Sequence, residues 1–345
     1  MNAANAMKLT LDGLRQLPKV ELHRHLECSL RLSTLKELAR EAGVEIPPSE
    51  AAIRREWLVT EPMTDLEAVL RKFLATQSVL SSEEILTRIT YEAIEDAYRE
   101  NIRILELRYA PTYIQLGHEY LSFEQIQRAI VKGVKLAEKL PIAVGLIMLI
   151  QRTRPTHEAE RVVDFAIDHK DEILALDLAD NEVGFDPAPF AKHFQRGKKA
   201  GLHITIHSGE ADVPGSAERV RDAIELLGAE RIGHGVQIYK SPEMIAFVKS
   251  QRVPLELCPT SNWLTNAVPS IAAHPLKSLR EQGVLVTLNS DDPGIFAIDL
   301  TNEYSIAHNE LGMSQAELES IADVAAAASF IPLKFKQQHW PRTIT

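Results

Sequence analysis

The sequence predicts one α/β domain spanning 1–345, a (β/α)8 TIM barrel, from two patterns present and one absent. Short β-branched or Leu-rich runs alternate with longer amphipathic stretches, which implies βαβ units and a parallel sheet. Eight such runs fall within about 270 residues, the size of a closed barrel. An open doubly wound sheet would instead carry a Gly-rich dinucleotide turn after an early strand, and no G-x-G-x-x-G occurs.

Taken in order, the strand candidates are 20–22, 104–109, 143–150, 174–178, 203–206, 231–232, 254–257 and 284–288. Helical patterns separate most of them, among them 190–200, 216–227, 243–250 and 271–282. The first connection, 33–101, is long enough for several helices rather than one. Insertions after a barrel strand fall on the catalytic face, because the βα loops emerge there. Within it, Thr64-Asp65 can cap a helix whose Leu66, Val69, Leu70 and Phe73 share one apolar stripe. That stripe is read either as a lid over the barrel mouth or as packing against the barrel.

Bulk properties narrow the function. The chain is 45% hydrophobic and 25% charged, with a net charge of -10 and no Lys/Arg block. An acidic, evenly mixed surface disfavours a phosphate-backbone binder, so nucleic acid is not an expected partner. The longest apolar run, 142–150, is about half of the roughly 20 residues a spanning helix needs. The N-terminus lacks an apolar signal segment, and two cysteines, Cys28 and Cys258, suit a reduced compartment. A cytoplasmic protein acting on a small molecule is the expectation, with a homodimer left open.

Reactive residues gather where strands end. The first strand closes on His23-Arg24-His25, and alternation along a strand points both imidazoles the same way. The fifth leads into His207-Ser208-Gly209-Glu210, the sixth into Gly233-His234-Gly235, and the eighth into Asn289-Ser290-Asp291-Asp292. Flanking glycines at His234 suggest close backbone approach, and adjacent carboxylates call for a nearby positive charge such as a divalent metal. Singly, each has an ordinary reading as a buried histidine or a loop-capping aspartate. Four at one end of a barrel point to a metal centre. Three imidazoles and a carboxylate select zinc over magnesium or calcium. The fourth strand carries no lysine that could bridge two ions, so one zinc per chain is expected. Such an ion would generate hydroxide near neutral pH, with Glu210 and His234 available for proton transfer.

In this order, Pro18-Lys19-Val20-Glu21-Leu22-His23-Arg24-His25-Leu26-Glu27, His207-Ser208-Gly209-Glu210, Arg231-Ile232-Gly233-His234-Gly235, Cys258-Pro259-Thr260-Ser261-Asn262, His274-Pro275-Leu276 and Ser290-Asp291-Asp292-Pro293 resemble the adenosine/adenine deaminase family of the amidohydrolase superfamily. The resemblance covers roughly 14–328. It implies that His23, His25, His207 and Asp291 ligate zinc. It further implies that Glu210 protonates purine N1, that His234 orients the attacking water and stabilises or deprotonates it, and that Asp292 meets N7. The stripe Leu66, Val69, Leu70 and Phe73 matches the family's apolar lid.

Three departures bear on the substrate. Glu27 stands where adenosine deaminases commonly carry an aspartate against the ribose 5'-hydroxyl, and adenine-specific relatives also carry glutamate there. Cys28 replaces the following glycine. Asp180 sits where a glycine N–H usually meets purine N3. Adenosine is the default purine substrate, and these three departures keep adenine or a 5'-modified adenosine such as 6-aminodeoxyfutalosine as alternatives. A non-catalytic purine binder needs neither Glu210 nor His234, and a hydrolase of cyclic amides is disfavoured by the missing lysine. Arg24 and His274 read as structural, and the remaining histidines as surface or core residues.

Overall fold

A computed structural model describes residues 9–63, 69 and 72–344. Eight strands form one sheet in the order of the sequence: β1 (Lys19–His25), β2 (Ile102–Tyr109), β3 (Ala143–Gln151), β4 (Ala175–Ala179), β5 (His203–Ser208), β6 (Arg231–His234), β7 (Leu255–Leu257) and β8 (Val286–Leu288). Every adjacent pair from β1 to β8 is parallel. Just beyond β8 the ring closes on β1. Asp291 N–H donates to His23 O and His25 N–H to Asp291 O, each at 3.0 Å. The TIM barrel the sequence predicts is the fold observed.

Outward-facing strand residues such as Leu105, Met148, Leu176, Ile206 and Leu255 pack against helix residues including Ile94, Ile130, Val163, Phe194 and Val248 in one continuous core. The insertion after β1 carries helices at Leu32–Glu41, Glu50–Trp57, Leu74–Gln77 and Glu83–Arg99. Ser49 and Ser82 accept from the third residue of their helices, which fixes where two of these begin. The single helix the pattern suggests over 271–282 is instead broken. A short 3-10 turn, Ile271–Ala273, precedes the helix Leu276–Glu281. Pro275 disfavours helical backbone at the residue before it, and His274 is extended there (φ -66°, ψ 129°).

Barrel interiors are commonly filled by Val, Ile and Leu, whereas this one is charged. Arg231 donates to Glu106 (2.6 Å) and Glu256 (2.5 Å), and Arg108 to Glu256 (2.8 Å) and Asp177 (2.6 Å). All five side chains are buried. Phe330 closes the N-terminal end of the barrel, with the Arg231 guanidinium 3.6 Å from its ring centre and His203 stacked 4.5 Å from it. No helix among the described residues is long and apolar enough to cross a membrane.

Candidate active site

The strand ends bring His23, His25, His207, His234, Asp291 and Asp292 to one place, the C-terminal mouth of the barrel. Two of the imidazoles are held from behind by the charged interior. His23 Nδ1–H donates to Glu256 at 2.7 Å, and His207 Nδ1–H to Asp177 at 3.0 Å. Donation at Nδ1 leaves the Nε2 lone pairs facing the mouth. There His25 Nε2 and His207 Nε2 lie 3.2 Å apart, and Asp291 Oδ1 lies 3.2 Å from His23 Nε2 and 3.4 Å from His25 Nε2. His23 Nε2 is buried with no hydrogen-bond partner. Buried polar atoms are rarely left so, and a cation between these atoms would satisfy it.

The residues therefore fit a metal ion. Donor atoms of His23, His207, His234 and Asp291 lie within 4.8 Å of one another, and His25, Asp291 and Asp292 form an overlapping set. Nε2 of His23, His25 and His207 with an Asp291 oxygen make a zinc-type donor set, and His234 stands beside it. His234 Nε2 is 3.6 Å from Glu210 and 3.9 Å from Asp291, while its Nδ1 is engaged by Asn262 at 3.1 Å. Gly233 explains how closely the rings gather, since a Cβ there would stand 2.9 Å from His23 Cε1 and 3.1 Å from His207 Nδ1. Gly235 (φ 67°) takes the left-handed turn that follows.

Burial sets the charge states. Glu210 is pushed up to about 8, first by desolvation and then by the negative charges of Asp291 and Glu182. Its peptide is pinned from both sides, because Glu182 accepts from Gly209 N–H at 3.0 Å and from Ala211 N–H. Asp292 is pushed well up by burial and by Asp291. For Asp291, desolvation alone would act the same way, yet His23 beside it holds the carboxylate well below its ordinary range. The site thus pushes two adjacent carboxyls in opposite directions.

A cavity of about 240 Å³ opens from these groups toward Glu27, Cys28, Phe73, Tyr113, Gln151 and Asp180. Val69 is buried beside it and, with Phe73, lines its wall. Leu66 and Leu70, the other half of the lid stripe, lie outside the described residues. Glu27 accepts from Ala110 N–H at 2.6 Å and is raised to about 7 by burial. Asp180 has φ +83°. Its carboxylate is consumed by Thr153 (2.5 Å), Gln151 (3.3 Å) and its neighbour's amide, Asn181 N–H (2.7 Å). The Asp180 side chain is therefore occupied by Thr153, Gln151 and the Asn181 amide. Cys28 is a buried free thiol, pushed well up by burial and the adjacent Asp292.

Sequence reasoning missed Asp177, Glu256 and Glu182, which brace the site from behind, and Gln151, Ser261 and Thr265, which line the cavity. His274, read from the sequence as structural, meets Asn262 through Nε2 at 3.1 Å and so reaches His234 through one side chain. Arg24 does point away from the cluster, to Glu100 at 3.1 Å.

The family model for adenosine deaminase matches residues 18–341. An adenosine deaminase of Klebsiella pneumoniae (strain 342) is 36% identical over 304 residues, covering 88% of this chain and 90% of that one. An adenine deaminase from Arthrobacter aurescens superposes with a TM-score of 0.84 at 27% identity, over 93% of this chain and 96% of its own. An N6-methyl-AMP deaminase from Arabidopsis thaliana gives 0.81 at 31% identity, over 95% and 96%. With a match across nearly its whole length, the chain belongs to the adenosine deaminase family and is a hydrolase acting on C–N bonds.

Proposed function

We propose that the chain is a single catalytic domain that hydrolyses the 6-amino group of a purine nucleoside, adenosine being the default, with one zinc held by His23, His25, His207 and Asp291. The observation that carries this reading is the convergence of those four donors beside Glu210, a buried carboxyl pushed up to about 8. When bound, the zinc supplies a water acidified to nucleophilic strength near neutrality. Glu210 donates its proton to purine N1 as C6 becomes tetrahedral. His234, 3.6 Å from Glu210, orients the attacking water. Asp292 hydrogen-bonds the ring at N7, and the Asp180 backbone N–H meets N3. Glu27 uses the oxygen not engaged by Ala110 for the sugar. Val69 and Phe73 exclude water, which strengthens each of these interactions. The proton of the new C6 hydroxyl passes through Glu210 to the amino group, which leaves as ammonia with the 6-oxo purine.

The described lining of the cavity favours a nucleoside over a nucleotide. Its described lining includes five acidic side chains, Glu27, Asp180, Glu210, Asp291 and Asp292, and no lysine or arginine. A phosphate carries about 1.5 to 2 negative charges at neutral pH, and none of the described lining residues offers it a lysine or arginine. A second reading, adenine itself, is favoured by Glu27, whose longer arm is buried where the sugar would lie.

Loss of ultraviolet absorbance with adenosine, 2'-deoxyadenosine, adenine and AMP separates these readings. We expect adenosine to turn over and AMP to fall at least ~10²-fold below it in kcat/KM. AMP turning over as well as adenosine would overturn the nucleoside assignment. Glu210→Gln is expected to lower kcat by at least ~10²-fold with zinc retained, and unchanged turnover would remove Glu210 as the proton donor.

A further inference from the structure

We infer that Asn262 and His274 are positioning residues that fix which nitrogen of His234 carries its proton, making His234 a hydrogen-bond donor toward the reacting water rather than its base. Four buried groups stand in a line. Leu276 N lies 3.2 Å from His274 Nδ1, His274 Nε2 lies 3.1 Å from Asn262 Oδ1, and Asn262 Nδ2 lies 3.1 Å from His234 Nδ1. Asn262 and His234 are 0% and 1% exposed, and His274 is 5% exposed, so water does not substitute for any of these partners.

The direction of the whole line follows from its first member. A backbone N–H can only donate, so His274 Nδ1 must accept. A neutral imidazole carries one proton, and for His274 it must sit on Nε2, where it faces Asn262. An N–H can be received only by the oxygen of the amide, which turns the Asn262 NH2 toward His234. His234 Nδ1 must then accept, and its single proton lies on Nε2. This assignment does not depend on how the amide is drawn, because the reverse orientation sets N–H against N–H at the His274 contact. His234 Nε2 is the atom facing Glu210 and Asp291, at 3.6 and 3.9 Å. In this tautomer it offers a proton there and has no lone pair with which to take one.

The elements that build the line are placed for it. Asn262 lies on the helix Pro259–Leu264 directly after β7, and its own carbonyl accepts from Val268 N–H at 3.0 Å. Pro275 breaks the next helical segment so that the side chain of His274 caps Leu276 N–H. The inference deepens the deaminase reading by choosing between two roles for His234, and it rests on that reading only where turnover is measured.

The decisive measurement is nitrogen NMR of the zinc-loaded protein, which reports the protonated nitrogen of His234 whether or not any purine is a substrate. The wild-type chain is expected to show Nε2–H. Asn262→Asp keeps the shape but accepts at both oxygens, so it should move the His234 proton to Nδ1. It should also lower kcat by about 10²-fold or more, with KM and zinc content near wild type. His274→Gln keeps a donor toward Asn262 Oδ1 and should hold both the tautomer and kcat within about tenfold. A wild-type His234 protonated on Nδ1 overturns the inference, and this result needs no variant to fold. So does an Asn262→Asp protein that loses activity while its His234 proton stays on Nε2, since these residues would then serve packing alone. If no purine turns over, the deaminase reading fails while the tautomer result still stands or falls by itself.

Discussion

Burial holds the His274 imidazole down at about 3, against an ordinary value of 6.5. Between those values the unfolded chain binds a proton that the folded protein refuses. The contribution of His274 to stability is therefore full above about 6.5 and is lost as the pH falls toward 3. Replacing it with a residue that does not titrate should flatten this fall. For His274→Gln, urea unfolding at pH 5 and pH 7 should show a smaller loss on acidification, by at most about 1.4 kcal/mol per pH unit. Equal losses in the two proteins would mean the buried ring titrates normally. At this scale the reactive residues were legible, since His23, His25, His207 and Asp291 announce themselves at strand ends. Their supports were not, because Asn262, Glu182 and Glu256 are ordinary polar residues until the fold places them.

At the scale of the element, β6 shows how little room the cluster leaves. Gly233 pairs with His207 across the sheet and lies against the His23 ring. Gly233→Ala would push a methyl group into both imidazoles while keeping the strand's hydrogen bonds. We expect zinc affinity to drop about 10- to 100-fold, the range found when the support of metal ligands is disturbed, with secondary structure unchanged by circular dichroism. Retained affinity would show that the rings can retreat. The glycines beside His234 pointed to this crowding from the sequence alone. The break at Pro275 was partly legible too. Its amphipathic pattern continues through the proline, and only the coupling between proline and the preceding backbone interrupts the helix. In the insertion after β1, capping serines mark helix starts, whereas periodicity could not say whether the stripe ending at Phe73 faces the cavity.

At the scale of the molecule, the charged interior governs stability. Arg108 neutralises Asp177 and Glu256 together, and each of those carboxylates braces one metal-facing histidine. Arg108→Met would leave buried Asp177 without a guanidinium and Glu256 with Arg231 alone. A loss of roughly 3–5 kcal/mol is expected, measured by urea unfolding of the metal-free protein, where zinc cannot mask it. A loss below about 1 kcal/mol would mean that water or protonation replaces the guanidinium. The alternation of β-branched runs with helical stretches made the barrel itself legible. Its interior was not, because inward-facing Glu106, Arg108, Asp177 and Glu256 read in sequence like the polar face of any half-exposed strand.

The same interior dictates how the chain can be assembled. Its ion pairs join residues 69, 125 and 148 positions apart. Cut between β4 and β5, one fragment would keep Glu106, Arg108 and Asp177, and the other would keep Arg231 and Glu256. Each keeps one pair, Arg108–Asp177 or Arg231–Glu256, and loses the two that join the halves, Arg231–Glu106 and Arg108–Glu256. Closing such long loops is costly before the contacts that repay it exist. The barrel is thus an all-or-none structure that must gather β2, β4, β6 and β7 together, and half-barrels drawn from this sequence should not fold by themselves.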